Sequence, residues 1–248
     1  ADGQSNAPIP PGELIDLDAG RLHSLGLCLD GSVIAWGSNA DGQTCIPENL
    51  PRIVAVAAGG FHSIALEEDG AVRAWGRNTE GQCDVPEGLD DVIAIAAGET
   101  HSLALKVDGS VIAWGGNVYG QCTIPGNLSG VIAISAGGYH SIALRDDGTV
   151  VAWGYDESGI CDVPSTVAGI VGISAGGFHN LALKSDGTVI AWGFNGYGQT
   201  NVPIDLTDVT QISAGGSHNL ALRSDGSVIA WGDPANGRST VPIEARMV

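Results

Sequence analysis

Basic residues are scarce in this chain. Lys and Arg total 10 against 28 Asp and Glu, for a formal net charge of −18 over 248 residues. So acidic a surface repels phosphate backbones and anionic lipid heads, which argues against nucleic-acid and membrane-surface roles. Long apolar runs are missing too: none approaches the ~20 residues that a spanning helix requires. Nor is there an Asp-rich calcium-loop spacing or a Gly-rich phosphate loop followed by Lys. What the chain has instead is 38 Gly and 44% hydrophobic residues, with Val, Ile and Ala in short bursts. That is the composition of many short strands and tight turns, not of a helical bundle. The length suits one large domain or two small ones, and a core of that size needs no covalent staples. The chain starts at Ala1, which fits a removed leader or a trimmed chain.

Internal repetition organises the rest. The six Trp stand at 36, 75, 114, 153, 192 and 231, and the six His at 23, 62, 101, 140, 179 and 218. Both series advance by 39 residues, as do the Asp-Gly pairs that begin at Asp30, Asp69, Asp108, Asp147, Asp186 and Asp225. In the copy from 131 to 164, Val131 to Ser135 reads as a strand followed by Ala-Gly-Gly, and His140 to Leu144 as a second strand. Asp147-Gly148 then forms a hairpin, read as a primed turn in which both residues take positive φ. Val150 to Trp153 is the third strand. Ile160 to Val163 reads as a short outer fourth strand closed by Pro164, which lacks an amide donor.

Four antiparallel strands make one blade. It has two apolar faces and must stack on neighbours, and radial closure shields the sheet edges. The expected fold is all-β: a six-bladed β-propeller of 39-residue four-stranded blades, with residues 1–248 forming a single domain. The small residues of the first strand (Ala133, Ser135, Ala136) fit crowding near a central axis. A straight β-solenoid is the alternative. Against it stand the antiparallel hairpins and the lack of an obvious polar cap. Residues 1–14 and 235–248 share one phase of the repeat, so one of them closes the ring.

In such a meander, the turn after the first strand and the loop after the third emerge at the same end. Every Phe and Tyr lies in one of those two places: Phe61, Tyr119, Tyr139, Tyr155, Phe178, Phe194 and Tyr197. Aromatics concentrated on loops of one sector supply large contact area with few rotors to freeze, as a protein interface requires. Nearby acids, Glu80, Glu99, Asp156 and Glu157, favour a basic partner surface. These seven are the candidate partner-binding residues.

Other features read as structural. A His at the same phase of every blade suggests a side-chain bond tying neighbouring blades, not a metal site, which needs three or four converging ligands. In His62-Ser63 and its equivalents the two side chains point to opposite faces and cannot share a proton. No pair of carboxylates breaks the repeat as a general acid–base pair would. Cys83, Cys122 and Cys161 share a phase, one blade apart, too distant for a disulfide. The five cysteines read as free thiols, a state compatible with cytoplasm and with export.

Repeats of the form AGGxHSxAL…DGxVxAWGxNxxGQxxVP resemble those of the regulator of chromosome condensation family. They are most similar to its compact bacterial branch, which includes the secreted propeller-type β-lactamase inhibitory protein. The resemblance spans essentially the whole chain. It implies a propeller that grips a protein through aromatic loop residues on one face, at the phases of Leu22, Phe61, Thr100, Tyr139, Phe178 and Ser217 and in the loops after each Trp. It also favours a secreted bacterial protein. The expected function is thus a non-catalytic, monomeric module that binds a protein partner, with an inhibitor-type interaction, no cofactor and no metal. One alternative is a carbohydrate-binding propeller that stacks sugars on the same rings and uses Asn39, Asn78, Asn117 and Asn195 as polar partners. Another is a structural repeat module of a larger secreted protein.

Overall fold

The computed structural model describes residue 3, residues 6–237 and residues 239–241. Its secondary structure is eighteen strands and one short 3-10 helix, Ala235–Gly237. The strands form six separate sheets of three, each an antiparallel meander. Blade one consists of Leu14–Ala19, His23–Cys28 and Val33–Gly37; blade two, of Ile53–Ala58, His62–Glu67 and Val72–Gly76. The other blades repeat this pattern, with second strands at His101–Lys106, His140–Arg145, His179–Lys184 and His218–Arg223. Six blades and an all-β architecture are as the period predicts. The chain divides into two compact units, residues 1–124 with blades one to three and residues 125–248 with blades four to six.

Among the described residues the expected fourth strand is absent, and each blade shows three strands, not four. The segments after each third strand spend their polar groups elsewhere. Within Gln43 to Pro47, Cys45 N–H donates to Gly42 O and Ile46 N–H to Thr44 O, both in turns, while the Gln43 carbonyl accepts from side chains of the next blade. Pro47 has no amide to offer. These bonds divert backbone groups that a ladder would use.

The Asp-Gly hairpins exist but not as primed turns. Only the Gly takes positive φ (+86° at Gly31, +77° at Gly148), and none of the six Asp does. Gly31 N–H donates to Cys28 O, and Cys28 N–H to Ser32 O, closing the three-residue loop Leu29-Asp30-Gly31. This is the hairpin form in which a glycine in the left-handed region follows a right-handed turn. Asp30 Oδ1 then accepts from both the backbone and the hydroxyl of Ser32, which fixes why Asp is needed there. Each first strand also carries a bulge after its first residue, such as Ile15, Val54, Ile93, Ile132 and Val171, exposed off the ladder.

The core lies between consecutive sheets. In the first unit Leu25 and Leu27 of blade one pack against Ile53, Ala65 and Trp75 of blade two. In the second, Ile142 and Leu144 meet Ile170, Ala182 and Trp192. The glycines here relieve crowding both against the His ring of their own blade and between blades. A Cβ on Gly59 would sit 2.6 Å from Gly98 O, and one on Gly176 would sit 2.5 Å from Gly215 O. Gly60 N–H donates to Gly98 O across the same gap. The proposed equivalence of residues 1–14 and 235–248 falls largely outside the described residues.

Candidate functional site

The repeating polar residues form relays inside each unit, and these relays hold the loops in place. His23 Nε2 lies 2.9 Å from Ser63 Oγ, and Ser63 Oγ in turn donates to Gln43 O at 2.8 Å. The hydroxyl has one proton, so the imidazole must be the donor in the first contact. Trp75 Nε1–H donates to the same carbonyl. His62, Ser102, Gln82 O and Trp114 repeat the arrangement one blade on. In blades five and six asparagine, at Asn180 and Asn219, replaces serine, while Ser141 of blade four keeps it. His140 Nε2 meets Asn180 Oδ1 at 2.8 Å while Asn180 Nδ2 donates to Ile160 O, which also accepts from Trp192. His179, Asn219 and Gln199 O follow suit. These histidines tie blades together, as their phase predicts. Burial lowers His23, His62 and His140 to about 4, so all three are neutral at ordinary pH.

The relays leave the loops beyond them well defined. Gln43 Oε1 accepts Asp41 N–H, and Gln199 Oε1 accepts Tyr197 N–H. The loop asparagines lock the same turns. Asn195 Oδ1 accepts Thr200 N–H while its amide donates to Asn201. Asn39, Asn78 and Asn117 are engaged in the same way. Each amide thus spends one acceptor and one donor inside its own loop. The repeated thiols are also spent inside the loops. Cys83 Sγ donates to Arg77 O, and burial pushes its thiol up to about 11 and that of Cys161 up to about 12.

The seven aromatics lie on the loops that follow first and third strands. Backbone pairing joins the two loop ends of a blade: Tyr155 N–H donates to Tyr139 O, Phe194 N–H to Phe178 O and Arg77 N–H to Phe61 O. In residues 125–248 the rings form two clusters, Tyr139–Phe178–Tyr155 and Phe194–Tyr197. Phe178 touches Tyr139 at 6.2 Å between centroids and Tyr155 at 5.7 Å, and Phe194 meets Tyr197 edge-on at 6.1 Å. Phe178 remains 38% exposed, Phe194 36% and Tyr197 56%. Tyr155 donates its hydroxyl to Glu157.

The first unit has two of the seven rings. Tyr119 is exposed. Phe61 is covered: the Arg77 guanidinium stands 4.0 Å from its centroid and that of Arg21 5.5 Å away. Asp41 grips Arg77 with both oxygens, at 2.9 and 3.1 Å, and Glu99 holds Arg21 at 2.5 Å. Sequence reasoning placed Glu99 near the ring but missed the two arginines. Their signal lay in the phase: positions 155 and 194, equivalent to Arg77, are Tyr and Phe.

A family model of the RCC1-like domain matches residues 3–242. A sequence comparison with curated proteins finds no match. Among solved structures, Saccharomyces cerevisiae Prp20p, described with its binding properties to Gsp1p and histones, is similar with a TM-score of 0.75 and 23% identity; the match covers 88% of this chain and 72% of that one. Human WBSCR16 gives a TM-score of 0.78 and 21% identity over 92% of this chain and 78% of its own. The CRINKLY WD40 ectodomain of the Arabidopsis thaliana receptor kinase ACR4 gives 0.74 and 24% over 94% and 84%. At these identities the likeness establishes the fold, an all-β propeller whose blades here number six. With the family model covering nearly the whole repeat, the chain belongs to the RCC1-like domain family.

Proposed function

We infer that this chain is a non-catalytic, monomeric binding module that engages a protein partner through its aromatic loops, chiefly those of residues 125–248. The observation that carries this reading is the pair of ring clusters, Tyr139–Phe178–Tyr155 and Phe194–Tyr197, with three of their rings more than a third exposed. Rigid rings on loops fixed by buried relays cost little entropy on binding and supply the residues that dominate interface hot spots. Yeast Prp20p, a structural relative, is described with binding properties to Gsp1p and histones, which supports a protein as the ligand class. The His-Ser and His-Asn pairs join neighbouring blades, a structural role that fits this reading. Where these rings land on a partner's active site, the outcome is inhibition, the mode that the bacterial resemblance implies.

The test is the triple variant Tyr139→Ala, Phe178→Ala, Phe194→Ala, compared with the parent chain as bait in an extract of the source cells. Specific capture by the parent is expected to fall at least ~100-fold, the loss of two or more hot-spot residues, while the thermal midpoint stays nearly unchanged. Capture that survives in a folded triple variant overturns the assignment of this surface.

A further inference from the structure

The two phenylalanines at one phase, Phe61 and Phe178, differ in what covers the ring. Over Phe61 lie two guanidinium groups, each steadied by a carboxylate on a neighbouring loop. Over Phe178 no cation stands among the described residues, although its ring is 38% exposed. The position equivalent to Arg77 is Phe194, and the one equivalent to Arg21 relative to its ring is Gly138. The basic residues described in the second unit, Arg145, Lys184 and Arg223, all end second strands beside the Asp-Gly turns, at the opposite end of the sheets. Acids are nonetheless present. Glu157 accepts the Tyr155 hydroxyl and is exposed, and Asp156 sits beside it, also exposed.

The first unit therefore shows, at the equivalent ring, which chemistry this site geometry accepts. Ring faces carry negative quadrupole density that attracts a guanidinium, and a nearby carboxylate completes the pairing. We propose that the Phe178 site takes an arginine side chain presented by the protein partner, its guanidinium over the ring in the place Arg77 holds over Phe61 and its outer edge facing Glu157. This rests on the protein-binding reading above and adds the chemistry of the contact. An arginine fits better than a lysine because its planar group stacks on the ring while still offering donors to a carboxylate.

The test uses a short capped peptide with three consecutive arginines, its citrulline counterpart and its lysine counterpart, titrated into the intact chain and followed by proton NMR. Ring currents over Phe178 should move the arginine side-chain methylene resonances upfield. The expected result is saturable binding of the arginine peptide, weakened at least fivefold in Phe178→Leu and in Glu157→Gln, with no shift for the citrulline peptide and weaker binding of the lysine peptide. Tyr155→Leu is a second ring variant should Phe178→Leu fail to fold. No upfield shift with the parent chain overturns the proposal. So does equal affinity in the folded ring variant, which would mean adsorption to a generally acidic surface, and so does equal binding of the citrulline peptide. If Phe178→Leu keeps its arginine-peptide affinity while the triple alanine variant still loses its captured partner, the arginine assignment falls and the protein-binding reading stands.

Discussion

The two halves of this chain share a scaffold and differ at its rim. In residues 1–124 the ring of Phe61 lies under Arg77 and Arg21, and serine joins consecutive blades. In residues 125–248 the ring of Phe178 lies among other aromatics, with no arginine above it among the described residues, and Asn180 and Asn219 do the joining. The repeat tolerates either solution at both places because the backbone that presents them is fixed by the same carbonyl, that of the residue after the loop glycine, shared by a Trp and a relay side chain. A repeat protein can thus satisfy an aromatic internally in one sector and leave it available in another without altering its framework.

Acid should test what the halves share, with the largest effect. His23, His62 and His140 bind protons less readily in the fold than their ordinary value of 6.5, near 4. The unfolded chain therefore takes up the protons first, so stability is complete above about pH 6.5 and falls as pH drops toward 4, by about 3 kcal/mol per histidine. Asp18, raised to about 6 by burial, works the other way, since its native form gains a proton earlier than the unfolded one. One such group does not offset three histidines. Thermal midpoints should drop steeply between pH 6.5 and 4.5; a flat profile would contradict the neutral relays.

The difference between the relays is smaller. Asn180→Ala strips partners from His140 and from half of the Ile160 carbonyl, and should cost about 2–3 kcal/mol. Ser63→Ala removes a smaller group and should cost about 1–2 kcal/mol. Chemical denaturation of both variants measures the gap, and a serine variant that is the more damaging of the two would reverse the comparison.

At the rim, grafting the first unit's cover onto the second is the next test. The pair Phe194→Arg and Ser158→Asp places the counterparts of Arg77 and Asp41 beside Phe178, and should weaken arginine-peptide binding about tenfold, the worth of a ~1.4 kcal/mol cation–π contact. The smallest expected effect is the converse. Arg21→Ala with Arg77→Ala uncovers Phe61 beside Asp41 and Glu99, and should add a second, weak arginine-peptide site with no more than about 1 kcal/mol lost in stability. An unchanged stoichiometry in the peptide titration would show that the ring alone does not make such a site.

Much of the fold was legible in the sequence, because a 39-residue period carried by Trp, His and Asp-Gly leaves few architectures open. Strand boundaries followed from alternation and from the paired turn residues. The expected fourth strand failed for a reason no local pattern contains. The carbonyl at its start, Gln43 O, is taken by the Trp75 and Ser63 side chains, which arrive from the following blade. The primed-turn reading failed because Asp30 spends its carboxylate on Ser32 and never needs positive φ. The aromatic loops could be placed from topology alone. The cover over Phe61 could not, since Arg21 comes from a neighbouring blade and Arg77 from the far side of a hairpin.

The bond from Trp75 to the Gln43 carbonyl has an implication for how such chains arise. The visible sheet is not the unit that duplication must copy. A segment cut from the start of one meander to its end would carry an indole whose acceptor stayed behind, so the heritable module has to be offset, running from one loop glutamine to the next. Excised at that frame, consecutive copies complete each other's hydrogen bonds at every join.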